Sequence, residues 1–219
     1  TGNLGSYAKQ AKVVHLEIDP AEISKNVHAD YPVLGDAKET LTLLTELLHN
    51  NDHSDWLKEF RSLEKEEIDK VIRNEIHPDT DTLTMGEVLN QVNQFGGGDA
   101  IIVTDVGQHQ MMACRYAKLN QTKSLITSGG LGTMGFCLPA AIGAKLGAPN
   151  REVVAVIGDG GFQMTIQELG VIFQSDVRVK ILVLNNEFLG MVRQWQELFF
   201  EKRYASTTMI NPDFQTIVK

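Results

Sequence analysis

The sequence has few cysteines, no long apolar run and fewer basic than acidic residues. Its two cysteines, Cys114 and Cys137, are too few for a disulfide framework and have no metal-ligand spacing, so we expect a reducing, cytoplasmic setting. No apolar run approaches the roughly 20 residues of a membrane span, which excludes a membrane-spanning protein. The formal net charge of −8 would repel the phosphates of nucleic acid, which excludes nucleic acid as a partner.

The chain also lacks a starting Met, a signal peptide and a transit peptide. It stops inside a predicted helix that begins near Asp213. Its 219 residues suffice for one large domain, or for one domain plus part of another, and 42% of them are apolar, as in soluble globular proteins. We therefore expect a piece of a longer polypeptide.

Residues 1–50 have the pattern of a strand followed by a helix. The apolar run 13–16 predicts a strand, Asp19-Pro20 predicts a turn, and Asp36 is a predicted N-cap. Four leucines then fall on one face at helical spacing, namely Leu41, Leu44, Leu47 and Leu48. We interpret this segment as the C-terminal part of a first α/β domain.

Residues 51–82 are highly charged and carry a thin apolar stripe of Trp56, Phe60, Leu63 and Val71. The pattern predicts a linker helix on the surface. It should end at His77-Pro78, because proline disfavours helix at the residue before it. The charge indicates a solvated helix face rather than a binding surface.

From residue 83 onward the pattern predicts a second α/β unit. Apolar residues at helical spacing (Met85, Val88, Leu89 and Val92) precede the break at Gly96-Gly97-Gly98. Three continuous apolar runs, 100–103, 152–157 and 179–184, predict strands buried on both faces, hence a parallel sheet flanked by helices. Between the last two runs we expect a helix with Phe162, Ile166, Leu169 and Phe173 on one side.

The strongest chemical signal follows the strand at 152–157. There the chain runs into Gly158-Asp159-Gly160-Gly161. Ligands of open α/β sheets gather at the carboxyl ends of strands, and glycines at a helix start let backbone N–H groups approach an anion. A carboxylate beside a phosphate is sensible when a divalent cation lies between them. Taken alone, however, Gly-Asp-Gly is a common turn.

The strand at 179–184 ends in Asn185-Asn186. A right-handed crossover would place this strand beside the previous one, so that Asp159 and Asn186 converge. Magnesium prefers oxygen ligands and often takes one or two carboxylates plus substrate phosphates. Asn alone often caps strand ends, so the prediction of a magnesium site depends on the pairing of the two motifs.

The spacing from Gly158-Asp159-Gly160 to Asn185-Asn186 resembles the thiamine-diphosphate binding motif. Three further segments resemble the large catalytic subunit of acetolactate (acetohydroxyacid) synthase. Two segments near the start resemble the tail of that family's middle, FAD-binding domain, namely His15-Leu16-Glu17-Ile18-Asp19-Pro20 and Gly35-Asp36-Ala37. The three segments are Gly107-Gln108-His109-Gln110-Met111, Thr127-Ser128-Gly129-Gly130-Leu131-Gly132-Thr133-Met134-Gly135 and Leu189-Gly190-Met191-Val192-Arg193-Gln194-Trp195. The resemblance covers nearly the whole chain, and the charged linker is its least specific part.

The resemblance implies three domain segments. Residues 1–50 would be the C-terminal part of the FAD-binding-type middle domain, and residues 51–82 the linker. Residues 83–219 would be the thiamine-diphosphate- and magnesium-binding domain, on the diphosphate side and truncated at its C-terminus. The fold class expected is α/β, with a parallel sheet flanked by helices, preceded by the tail of a second α/β domain.

The resemblance also implies the ligands of the cofactor. Magnesium would be held by the side chains of Asp159 and Asn186 and by the backbone carbonyl of Phe188. The diphosphate would be held by a second group of residues, which are Gly107, Gln108, His109, Gly158, Gly160 and Gly161. From the residues alone, His109 is equally well a surface or core histidine.

Apolar residues of the resembling segments would shape the cofactor and the substrate site. By the resemblance, Met134 wedges thiamine diphosphate into a bent conformer, the Gly132 carbonyl accepts from its amino group, and Met164 and Met191 lie beside it. Trp195 would favour 2-ketobutyrate as the second substrate. Taken alone, Met134 and Met164 are equally typical of core, and Met191 and Trp195 form an ordinary helix-face pair.

FAD contacts in the middle-domain segment are implied for Glu17, Ile18, Asp36 and Ala37. Acidic residues after strands often bind ribose hydroxyls, although acidic turns are common everywhere. In this family FAD has a structural role, so no redox residue is implied.

The implied activity is a carboligation in branched-chain amino-acid biosynthesis. Pyruvate, after decarboxylation, would be joined to a second 2-ketoacid to give acetolactate or acetohydroxybutyrate. The family's activating glutamate lies on an N-terminal domain of a neighbouring subunit, and no stretch of this chain resembles that domain. We interpret Glu168 as an ordinary helix residue, so we expect no catalytic residue in this chain and no activity from it alone. Self-association as a homodimer or tetramer, and a regulatory small subunit, are the partners implied.

Two kinds of alternative stay open. Catabolic acetolactate synthase, glyoxylate carboligase and pyruvate oxidase share the metal motif. The chain could instead be a non-catalytic cofactor-binding or regulatory module, although its intact Asp159 and Asn186 argue against a degenerate site. Met191 to Trp195 and Glu17 to Pro20 favour the biosynthetic, FAD-containing branch.

Overall fold

A computed structural model describes residues 2–219, and the chain divides into two units, 1–60 and 61–219. Both units are built from parallel strands and helices, which confirms the predicted α/β class. No helix among the described residues combines the length and the apolar character that crossing a membrane requires.

The first unit contains a two-stranded parallel sheet, in which β1 (Val14–Glu17) pairs with β2 (Tyr31–Leu34). Helix α1 (Ala37–Leu47) follows. The Asp36 carboxylate accepts the N–H of Lys38 at 2.8 Å and of Glu39 at 3.3 Å, which confirms the predicted N-cap. Strand β2 was not predicted, because Pro32 interrupts its apolar pattern.

The charged segment is helical, as predicted. It comprises α2 (Ser54–Glu67), a π-helical turn (Ile68–Ile72) and α3 (Arg73–Ile76). Helix α3 ends at Ile76, and His77 is not helical, because a helical conformation at the residue before Pro78 would clash with the proline ring.

The second unit has a four-stranded parallel sheet of order β4-β3-β5-β6. Its strands are β3 (Ile101–Thr104), β4 (Leu125–Thr127), β5 (Val153–Gly158) and β6 (Lys180–Leu184). The helices are α4 (Met85–Gly96), α5 (Gln108–Tyr116), α6 (Cys137–Gly147), α7 (Asp159–Met164), α8 (Leu169–Gln174), α9 (Gly190–Phe199) and α10 (Phe214–Ile217), with a 3-10 turn at Ile166–Glu168.

Each face of this sheet packs against its own helices. Successive side chains of a strand point to opposite faces. Thus Ile101 and Val103 pack with Leu138 and Phe162 on one side, while Ile102 packs with the α4 and α5 side chains on the other. Every residue of β3 and β5 is buried, which explains why their apolar runs are continuous rather than alternating.

Both cysteines are free, and Cys137 belongs to the core. Its thiol donates to the backbone carbonyl of Val103 at 3.0 Å. Burial raises the pKa of the Cys137 thiol, and the nearby Asp105 carboxyl raises it further. This residue therefore packs as a small apolar side chain.

In the second unit one strand was missed and one predicted helix was wrong. Strand β4 was not predicted, since it has only three residues and follows a polar stretch. The single helix expected around 162–175 is broken at Thr165, whose hydroxyl donates to the Gly135 carbonyl at 3.0 Å. The break removes Phe173 from the face of buried Phe162, and Phe173 is 91% exposed.

Candidate functional site

The carboxyl ends of three strands of the second unit meet at one edge of the sheet. Thr104 of β3 pairs with Val156 of β5, and Gly158 of β5 pairs with Leu184 of β6. The loops that follow these strands, 105–109, 158–161 and 185–189, are consequently neighbours. Polar residues that are far apart in the sequence come together here.

Asp159 begins α7 and is 2% exposed. Its Oδ1 accepts the N–H of Gly160 at 3.0 Å. Its Oδ2 accepts the N–H of Glu187 at 3.0 Å and the side-chain amide of Asn211 at 2.7 Å. A carboxylate offers about four lone-pair positions, so one position on Oδ1 stays available after these three bonds.

Asn186 lies in the loop that contacts Asp159. Its Oδ1 accepts the N–H of Phe188 at 3.2 Å, and its Nδ2 lies 3.5 Å from Gln108 Oε1. Gln108 in turn donates to the Gln194 side chain of α9 at 3.1 Å. Side-chain contacts thus connect the loops after β3 and β6.

These loops enclose a cavity of about 80 Å³. Most of the predicted cofactor residues line it, and they come from four separate stretches of the sequence. The predicted residues at the cavity are Gly107, Gln108, His109, Met134, Gly158, Asp159, Gly160, Gly161, Asn186, Phe188 and Met191. Residues not predicted from the sequence complete the lining, namely Met85, Val106, Leu184, Leu189, Gly190 and Val192.

Three predicted residues of the second unit lie outside the cavity lining. Gly132 is in an exposed loop with φ +66°. Met164 is 53% exposed, at the end of α7. Trp195 is also 53% exposed and stacks on Phe199, with 5.0 Å between the ring centroids.

The residues predicted to contact FAD belong to the first unit. Glu17 pairs with Leu34 at the ends of β1 and β2, which places Glu17, Ile18, Asp36 and Ala37 at one edge of that sheet. Glu17 Oε1 accepts the N–H of Ile18 at 2.9 Å, and the Asp36 carboxylate caps α1. Both acidic side chains therefore already hold backbone N–H groups.

Asp105, which was not predicted from the sequence, directly follows β3 and is fully buried. Its Oδ1 bonds Nε2 of buried His109, and its Oδ2 accepts the N–H of Gly135 at 2.8 Å. Asp105 therefore connects the residue predicted to bind diphosphate with the loop that carries Met134. The sequence feature that could have identified Asp105 is an acidic residue at the end of a continuous apolar run, the same feature that identified Asp159.

Most of the side-chain and backbone oxygens at the site that could bind a metal ion belong to amides and carbonyls. Among residues 2–219, no three His, Cys, Asp or Glu side chains gather in a way that could hold a metal ion. A cation at Asp159 would therefore need amide and backbone oxygens as further ligands. Hard cations such as magnesium accept such ligands, whereas zinc prefers His and Cys.

Gly161→Ala should destabilise the protein, because a Cβ at this position would lie 1.9 Å from Asp105 Oδ2. We expect a loss of about 1–3 kcal/mol in the free energy of unfolding, measured by urea denaturation. Gly170→Ala is the control, since nothing lies within 4 Å of a Cβ there and the residue is exposed in α8. Unchanged stability of Gly161→Ala would contradict this packing.

Comparison with known proteins identifies the family. Residues 105–219 match the family described as thiamine pyrophosphate enzyme, C-terminal TPP binding domain. Residues 1–44 match the thiamine pyrophosphate enzyme central domain.

Several curated relatives align with almost the entire chain. The acetolactate synthase large subunit of Lactococcus lactis is 43% identical over 99% of the chain and 37% of its own length. That of Mycobacterium tuberculosis is 42% identical over 98% of the chain and 36% of its length. The acetolactate synthase isozyme 2 large subunit of Escherichia coli is 41% identical over 98% of the chain and 38% of its length.

The chain thus spans somewhat more than a third of the length of these relatives. The family match covers 105–219 of 219 residues, which is more than half of the chain. On this match the chain belongs to the thiamine pyrophosphate enzymes.

Proposed function

We propose that this chain forms the diphosphate and magnesium half-site of a thiamine-diphosphate-dependent acetolactate synthase. The observation that carries the proposal is the contact of buried Asp159 with the loop 185–188, inside a segment that matches a thiamine pyrophosphate binding domain. The names of the relatives support acetolactate synthase as the activity of the parent protein.

The oxygen atoms around Asp159 fit magnesium. Asp159 retains a free position on Oδ1, and Asn186 Oδ1 accepts only the 3.2 Å bond from Phe188 N among the described residues. Phe188 lines the same cavity, which supports its backbone carbonyl as the third protein ligand. Diphosphate oxygens and water would complete the octahedron that magnesium prefers.

The loop after β3 would hold the diphosphate. Gly107 precedes α5, and the first N–H groups of a helix have no partner within it, so those of Gln108 and His109 can bind an anion. The Nε2 atom of His109 is engaged by Asp105, so a contact from its ring would use Nδ1. Gly158, Gly160 and Gly161 line the same cavity.

Met134 would shape the cofactor from the loop after β4. A Cβ added at Gly160 would lie 3.4 Å from Met134 Cε, so the Met134 side chain lies close to the glycine turn that lines the cavity. Gly132, Met164 and Met191 are proposed to contact the pyrimidine end. The cavity of about 80 Å³ is far smaller than the roughly 300–1,000 Å³ of complete ligand pockets, which supports a half-site completed by other protein segments.

Thiamine diphosphate would supply the carbanion chemistry, while the residues named here bind and orient it. The proposed reaction joins pyruvate, after decarboxylation, to a second 2-ketoacid such as 2-ketobutyrate in branched-chain amino-acid biosynthesis. The activating glutamate would come from a domain of a neighbouring subunit, so the assembly would be a homodimer or tetramer. A regulatory small subunit is a further proposed partner, and the cytoplasmic location stays a prediction.

The division of the chain follows the same proposal. Residues 1–50 would end a middle domain that binds FAD as a structural cofactor, with contacts from Glu17, Ile18, Asp36 and Ala37. Residues 51–82 would be the linker, and 83–219 the cofactor domain. The second candidate function is a non-catalytic cofactor-binding or regulatory module, in which no other segment would complete the small cavity.

The wild-type chain should bind thiamine diphosphate only when magnesium is present, as measured by calorimetry with and without the metal. Asp159→Ala should abolish this binding, because the variant loses the only carboxylate proposed as a ligand. Glu168→Gln is the control and should bind as the wild type does, since we place Glu168 outside the site. Metal-independent binding by the wild type would favour the non-catalytic cofactor-binding module, and no binding would favour a regulatory module.

The 219-residue chain should produce no acetolactate, because the activating glutamate and the rest of the cofactor pocket are expected on other segments. The assay supplies pyruvate, magnesium and thiamine diphosphate and measures acetolactate colorimetrically. The full-length parent enzyme under the same conditions is the positive control. Acetolactate production well above the protein-free blank would contradict the half-site proposal.

Trp195→Leu in the full-length parent enzyme should mainly change the choice of second substrate. Loss of the exposed indole face would remove apolar contact with the extra methylene of 2-ketobutyrate. One methylene changes the preference between two substrates by about 10-fold or more. The measurement is the ratio of acetohydroxybutyrate to acetolactate with both ketoacids present. Trp56→Leu, which removes the other exposed indole of the chain, should leave the ratio nearly unaltered.

A further inference from the structure

Residues 207–211 form a segment that pairs with the loop after β6. Leu189 N donates to the Thr207 carbonyl at 2.8 Å, and Met209 N donates to the Glu187 carbonyl at 2.8 Å. Phe188 and Thr208 form the antiparallel bridge between these bonds. The backbone around the proposed carbonyl ligand is thus fixed by residues that follow α9.

Asn211 lies at the end of this segment and uses every polar atom of its side chain. Its Nδ2 donates to Asp159 Oδ2 at 2.7 Å and to Asn185 Oδ1 at 2.8 Å. Its Oδ1 accepts from Gln163 Nε2 at 2.8 Å. An amide nitrogen carries two hydrogens, so both are committed to the two loops that hold the proposed metal ligands.

The consequence for Asp159 is a carboxylate with two unequal oxygens. Oδ2 takes two donors, from Glu187 N and from Asn211, while Oδ1 takes only the Gly160 N–H. The Asn211 bond therefore fixes the rotation of the carboxylate about its Cβ–Cγ bond. It also presents the less occupied oxygen, Oδ1, for a further ligand.

We propose that Asn211 is a positioning residue for the divalent cation, which acts by holding the Asp159 carboxylate and the Asn185-Asn186 loop in the geometry that the metal requires. This inference rests on the magnesium site proposed above. Hydrogen bonds to metal-ligating carboxylates typically affect metal affinity 10–100-fold. Asn211 makes such a bond from a segment that supplies no proposed ligand of its own.

The test compares Asn211→Ala and Asn211→Asp with the wild-type chain. Magnesium is titrated at a fixed concentration of thiamine diphosphate, and binding is measured by calorimetry. Asn211→Ala should raise the magnesium concentration at half-saturation about 10–100-fold, and saturating magnesium should restore cofactor binding. Asn211→Asp removes both N–H donors and places a second carboxyl beside Asp159, so it should weaken binding at least as much as Asn211→Ala.

Asn93→Ala is the matched control in the same unit. Asn93 also joins two segments, donating to the Tyr116 carbonyl and accepting from the Lys118 N–H, both at 2.8 Å. This variant should lower the melting temperature while leaving the magnesium half-saturation within about twofold of wild type, since its bonds lie away from the proposed ligands.

The outcomes separate this inference from the proposed function. If the wild-type chain shows no magnesium-dependent binding, the proposed function fails. If the wild type binds with magnesium but Asn211→Ala or Asn211→Asp keeps the wild-type half-saturation, the positioning role is overturned. It is equally overturned if cofactor binding by Asn211→Ala is weakened and magnesium does not restore it, because the role would then be only structural.

Discussion

The loops of the site depend on one buried carboxyl group, that of Asp105. It follows the central strand β3, bonds His109 with one oxygen and receives the Gly135 N–H with the other. Gly161 passes so close to Asp105 that no side chain fits there. This one group thus bonds His109 and the Gly135 loop and packs against the Gly161 loop. An unpartnered buried carboxyl would be costly, so both bonds are needed.

Asp159 has a related position but, unlike Asp105, it lines the cavity. Both residues come at or directly after the end of a fully buried strand, and both are almost inaccessible to solvent. Each oxygen of Asp105 has one partner, His109 or Gly135, and this carboxyl does not line the cavity. Asp159 does line the cavity, and its Oδ1 has a single donor. The first carboxyl thus fits a structural role, and the second can accept a cation from the cavity.

The sequence was informative wherever burial alone decides the structure. Continuous apolar runs predicted β3, β5 and β6, and the polar residues after them predicted the contact between Asp159 and the Asn186 loop. The break at Thr165 and the position of Asn211 were not predictable, because each depends on a bond to a residue distant in the sequence. The local pattern of apolar and polar residues does not specify hydrogen-bond partners that are distant in the sequence.

The size of the cavity likewise depends on contacts between segments that are distant in the sequence. Local sequence places the ligand residues at strand ends, but a ligand pocket is closed by whatever packs over those ends. In this chain the first residues of α9 line the cavity, and the segment 207–211 pairs with the loop after β6. Asn211 is the residue of this segment that donates to the buried Asp159 carboxylate. The metal geometry therefore depends on the late segment as well as on the two motifs that the sequence makes conspicuous.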